Sequence, residues 1–289
     1  MTKCITQLCC QFAAFLSLLA CTTQANAQWN PGRHMSKSMA ITLARGKAIE
    51  QKSDYGFCQT CYLGAFLQPG NDSFMTMPLE AGRSYVFMGS TACDDCDLDI
   101  LVVDENGRVV AKDTDSDHVP AVEFTPSSTA RYTVRLKLYR ATTAQFCGMT
   151  LMQKGGWAVP IENLALASAR TLKHCQYVAS KTPARFLQEP GEWAMIGSIM
   201  REGEKSGYSD MRLGTGRRVI VACGDKHTRD LDLHGHQESP NRELANDTES
   251  DPTPILAFKT IGSARYAVNI TNAHSSGATL VMTAILDID

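Results

Sequence analysis

The sequence predicts a mainly β protein: two antiparallel β-sandwich or jelly-roll domains in tandem, each preceded by a short helix. Three observations carry this expectation. The chain alternates apolar and polar residues in many short segments separated by turn signals, the pattern of sandwiches and jelly rolls. One series of segments occurs twice, first around Asp97-Leu98-Asp99 and again around Asp230-Leu231-Asp232. A helical period appears only ahead of each series. With 289 residues, 44% of them hydrophobic, the chain is long enough for two cores.

Taken in order, Met35 to about Gln51 reads as a helix, with Met39, Leu43 and Ala44 on one face. Strands are expected at Tyr62 to Leu67, Ser73 to Met77 and Ser84 to Met88. Pro69-Gly70-Asn71-Asp72 and Glu80-Ala81-Gly82 form the turns between them. The central strand runs from Asp97 to Asp104, with Leu98, Ile100 and Val102 on one face and Asp97 and Asp99 on the other. Asn106-Gly107 turns the chain. Val109 to Lys112, Ala121 to Phe124, Tyr132 to Leu138 and Phe146 to Met152 complete the first series. Gly155 to Pro160 reads as a linker. Leu164 to about Ala179 is the second helix; the second series starts at Trp193 and ends with Thr279 to Leu286. Each helix is expected to cover an open sheet edge. The expected division is 1–27 as a signal peptide, 28–154 as the first unit, 155–160 as the linker and 161–289 as the second unit.

The first residues predict export. Lys3 precedes the apolar stretch Phe12 to Ala20, too short to span a bilayer, and Ala25-Asn26-Ala27 is a small-x-small cleavage site. Leu18-Leu19-Ala20-Cys21 offers the alternative, a lipoprotein anchored through Cys21. A periplasmic or secreted protein follows, with no transmembrane segment in the mature chain. A net charge of −2 and the lack of a basic stripe argue against nucleic acid.

The order of a strand after Gly82, then Asp-Leu-Asp with an apolar run, a turn, an acidic loop, a Phe strand and Arg131-Tyr132-Thr133-Val134 resembles the bacterial pre-peptidase C-terminal domain. Gly216, Asp230-Leu231-Asp232, Phe258 and Arg265-Tyr266-Ala267-Val268 carry the same resemblance in the second half. It implies two tandem divergent copies of a small jelly-roll module. The family is similar to the collagen-binding modules of collagenases, some of which bind calcium. Within these 289 residues no peptidase domain is expected beside the modules.

Several residue sets have the chemistry of a site. Asp97, Asp99, Asp113, Asp115 and Asp117 recur as Asp230, Asp232, Asp247, Glu249 and Asp251, and clustered carboxylates suit calcium. Turn formation, with Asp and Ser bonded to loop amides, is the other reading. His118 and Phe124 stand where an EF-hand needs Gly and Glu. His234 and His236 follow Asp230 and Asp232 at two-residue steps, so all four share a strand face able to hold zinc or another divalent ion.

Cys58-x-x-Cys61 and Cys93-x-x-Cys96, both placed in loops before strands, have zinc-ligand spacing. Export favours disulfides, for these four and for Cys175 and Cys223. Zinc is therefore the weaker expectation beside calcium. Cys147, in an apolar strand, reads as an inert thiol. Trp157 and Trp193 suit either a binding platform or packing. Gly-x-Ser-x-Gly, His-Glu-x-x-His and phosphate-cradling loops are absent from the sequence. The expected function is a non-catalytic exported binding module that engages a protein or polysaccharide of the cell envelope or extracellular matrix. The alternatives are a metal-dependent enzyme using His234 and His236, or a lipid-anchored structural envelope protein.

Overall fold

The computed structural model describes residues 32–288, and side chains from Met35 onward. The expected signal peptide, its cleavage site and Cys21 lie outside the described residues. The described chain divides into two compact units, one ending at Val159 and the other beginning at Pro160.

In unit 1, helix α1 (Gly32–Glu50) precedes eight strands: β1 (Tyr55–Leu67), β2 (Asp72–Leu79), β3 (Tyr85–Thr91), β4 (Asp97–Val103), β5 (Val109–Asp113), β6 (Ala121–Phe124), β7 (Ala130–Arg140) and β8 (Gln145–Lys154). The hydrogen-bonded order is β1-β8-β3-β6 in one layer and β2-β7-β4-β5 in the other. Every pairing between these strands is antiparallel. Leu98, Ile100 and Val102 of β4 and Val134, Leu136 and Leu138 of β7 are fully buried, so the two-residue period turns one face of each strand inward.

Unit 2 has helix α2 (Ile161–Lys181), then β9 (Ala184–Phe186), β10 (Met195–Met200), β11 (Lys205–Met211), β12 (Gly216–Gly224), β13 (Thr228–Gln237), β14 (Arg242–Asp247), β15 (Ile255–Thr260), β16 (Tyr266–Ser275) and β17 (Thr279–Ile288). Its layers run β10-β17-β12-β15 and β11-β16-β13-β14, the order of unit 1 strand for strand. The short β9, which pairs with β17, has no counterpart in unit 1.

Three expectations need correction. The helices cover faces, not edges: α1 lies against the adjacent strands β1, β8 and β3. Its apolar positions Met35, Met39 and Leu43 are fully buried, and Ser38 Oγ donates to the Ser90 carbonyl at 3.0 Å. β1 begins at Tyr55, well before Tyr62, because a register shift between Phe57 and Tyr62 keeps the extra residues within the pairing with β8. Gly155 to Pro160 is not a free tether: Trp157 and Phe57 exchange backbone hydrogen bonds at 2.8 Å. Lys47 Nζ also donates to the Val159 carbonyl at 2.8 Å while it pairs with Glu50 at 2.6 Å, fastening the end of unit 1 to its first helix.

Candidate metal centre and binding faces

The acidic residues of each unit form a loop that holds its own backbone. Asp113 accepts from the Asp115 amide through one oxygen (3.2 Å) and from the Ala121 amide through the other (2.8 Å). Asp247 does the same with Glu249 (3.3 Å) and Ile255 (2.8 Å). Asp117 caps the Val119 amide as Asp251 caps that of Thr253. Ser116 donates to Asp97 at 3.3 Å, and Ser250 to Asp230 at 3.2 Å. These are the bonds of Asx-type turns. Asp99 is held above the ordinary aspartate range by burial and by Asp97, partly offset by Lys137. Among the described residues, the acids of unit 1 do not bring three ligand atoms close enough to share an ion.

In unit 2, the outer face of β13 does assemble such a group, with a different membership from the expected one. Ligand atoms of His234, His236 and Glu243 all lie within 4.8 Å of one another. Asp230 and Asp232 share the face but lie too far along the strand to join. His234 and His236 stack with ring centroids 6.3 Å apart. Glu243 sits 2.6 Å from His234 Nδ1 and also accepts from Asn246 at 3.2 Å. These hydrogen bonds hold its carboxyl below the ordinary glutamate range.

Glu243 reaches this face through a bulge. Gly235 pairs with Ala245 but His236 pairs with Glu243, so Leu244 is the extra residue on β14. Regular pairing would set Leu244 opposite His236; the bulge re-aims the glutamate there. Gly235 lies between the two histidines with its inner side against the core. A Cβ there would meet Phe258 Cε1 at 2.8 Å. Sequence reasoning missed Glu243, whose only signal was the turn residues Ser239-Pro240-Asn241 that fold β14 back along β13.

Unit 1 has the same bulge with other side chains. Val102 pairs with Ala111 and Val103 with Val109, leaving Val110 extra. By register, Leu101, Val103 and Val109 stand where unit 2 has His234, His236 and Glu243. Across the face, Phe74 pairs with Arg135, Arg135 with Leu101 and Leu101 with Lys112. Phe74 is 47% exposed and Val109 48%. This outer face sets apolar side chains beside Lys112 and beside Arg135, which pairs with Asp72.

Among the described cysteines, only Cys93 and Cys96 are joined by a disulfide. Cys58, Cys61, Cys175 and Cys223 differ from expectation: they are free, buried thiols. Cys58 and Cys61 lie inside β1, not in a loop. Burial pushes the Cys58, Cys147 and Cys223 thiols up to about 12, and it also raises those of Cys61 and Cys175. At neutral pH they are protonated and poor nucleophiles or ligands. Trp193 is buried and serves packing, whereas Trp157 is half-buried, with its backbone paired to Phe57.

No family model and no curated protein matches the chain. Among solved structures, similarity extends to the pre-peptidase C-terminal domain of a collagenase from Bacillus anthracis, with 7% identity, covering 32% of this chain and 88% of that one at a TM-score of 0.27. The periplasmic g-type lysozyme inhibitor PliG of Aeromonas hydrophila shows 10% identity, 33% and 85% coverage and a TM-score of 0.26. The PBSX exported protein XepA shows 12% identity, 78% and 84% coverage and a TM-score of 0.26. At these scores nothing about function follows from the likeness.

Proposed function

We propose that the chain is a non-catalytic exported binding module that engages a protein or polysaccharide of the cell envelope or extracellular matrix. The observation that carries this reading is the outer face of β2-β7-β4-β5 in unit 1, where Phe74, Leu101, Val103 and Val109 lie beside Arg135 and Lys112. Apolar side chains grouped on an open face, rimmed by polar ones, mark an interaction surface. The leader sequence supports export, and no helix among the described residues is long and apolar enough to cross a membrane. Two divergent pre-peptidase-like units are the organisation proposed for it.

The test is capture on arrays of envelope proteins and polysaccharides, with native protein and a Phe74→Ala/Val109→Asp variant. Specific capture lost in a variant that melts normally is the expected result. Capture unaffected by the two substitutions, or no capture of any class, would overturn the reading.

A further inference from the structure

We infer that His234, His236 and Glu243 form a binding site for one borderline-soft divalent transition cation, zinc or copper(II), on the open face of unit 2. This inference stands apart from the partner reading, which rests on unit 1.

The donor chemistry is the first argument. Two imidazoles and one carboxylate suit zinc and copper, whereas calcium and magnesium need more oxygen ligands than the face offers. Three protein ligands leave a coordination position for water or an external group. Around one tetrahedral zinc, ligand atoms stand roughly 3.3 Å apart, given bond lengths of about 2.0–2.1 Å. The three donors lie within 4.8 Å of one another on half-exposed side chains, so small torsional changes close the remaining gap.

The backbone supplies the second argument. Three separate features act together to converge these side chains: the two-residue period of β13, the bulge at Leu244 and the close seating of Gly235 on Phe258. The surroundings leave room for an ion. The residues beside the histidines on β16 are Ala267 and Asn269, and beyond Asn269 on β11 lies Gly207.

The third argument is that the fold does not require these side chains. Unit 1 builds the same bulged hairpin with Leu101, Val103 and Val109 at the three positions. The His234–Glu243 bond is exposed, and such pairs contribute little stability. Two histidines and a glutamate, brought together by a bulge where three aliphatic residues serve equally well, point to a ligand.

The test is isothermal titration of the full chain with zinc chloride and copper(II) chloride, with calcium and magnesium chlorides as controls. Native protein is expected to take up one equivalent that His234→Leu/His236→Val/Glu243→Val lacks, with unchanged thermal melting. His236→Ala alone removes a direct ligand and should weaken that equivalent by more than the roughly 10- to 100-fold that loss of an outer-shell partner costs. His274→Ala, which alters a histidine paired with Glu202 at 3.3 Å, should leave it intact. Copper(II) paramagnetic resonance should show nitrogen coupling from two imidazoles in native protein and none at this site in the triple variant. An equal titration of native and triple-variant protein by zinc and copper would overturn the inference, as would calcium binding at the same three residues.

Discussion

The two hairpins β4-β5 and β13-β14 have the same pairing, the same bulge and opposite surfaces. Leu101, Val103 and Val109 make one apolar; His234, His236 and Glu243 make the other a set of metal donors. The difference extends across the sheet, where the row Phe74-Arg135-Leu101-Lys112 becomes Gly207-Asn269-His234-Asn246. It also extends into the core, where Val102 of unit 1 becomes Gly235 in unit 2. Topology therefore decides where side chains converge, and residue identity decides what they do there. The acidic loops teach the converse: their hydrogen bonds recur in both units, which suits a role in building the loop.

The largest expected effect comes from the opposite layer. In unit 2, Arg218 pairs across the ladder with Asp287, Nε to Oδ1 at 3.1 Å, and both are nearly buried. Unit 1 has Tyr85 opposite Gln153 there, with no charge. Asp287→Ala removes the nearer of the two carboxylates on the guanidinium and leaves Glu189 3.9 Å away, and breaking a buried pair in this way costs up to about 3–5 kcal/mol. In separate-unit melting, only unit 2 should fall; equal loss in both units would show that the units do not unfold independently.

An intermediate effect is expected from Gly235→Val, which copies the residue of unit 1. The added side chain collides with Phe258, and overpacking of this kind costs about 1–3 kcal/mol. It should also displace His234 and His236 and reduce zinc uptake, while Gly235→Val/Phe258→Leu restores both. A double variant no better than the single one would remove the glycine from the account.

The smallest effect on stability, and the sharpest on function, is the graft. Leu101→His/Val103→His/Val109→Glu, at two half-buried positions and one exposed one, should change stability by only about 1 kcal/mol. It should add a second equivalent of zinc. A folded graft that binds only one equivalent would mean that the bulge does not suffice to converge the donors.

Much of the fold was legible in the sequence. Alternation at Leu98, Ile100 and Val102, together with turns such as Asn106-Gly107, marks strands and their facing without tertiary information. The shared face of His234 and His236 follows from the same two-residue period. Glu243 was illegible because its place depends on one extra residue in a partner strand, and a register shift leaves no local trace. Cys58 and Cys61 were misplaced for a related reason: β1 absorbs a bulge between Phe57 and Tyr62 that interrupts the alternation. The acids of the loops were legible as a set but not as a role, since carboxylates that bind amides and carboxylates that bind ions have the same spelling.

The bond from Lys47 to the carbonyl of Val159 has a consequence for the order in which the molecule forms. β1 pairs with β8, Tyr55 opposite Lys154, so the first strand of unit 1 gains this neighbour only when the last arrives. A chain emerging N-terminus first therefore exposes α1 and β1, with their buried methionines and thiols, until about residue 159 is free. Long-range pairing of this kind is slow and open to aggregation. Unit 1 closes late, as a whole, when its end reaches its beginning.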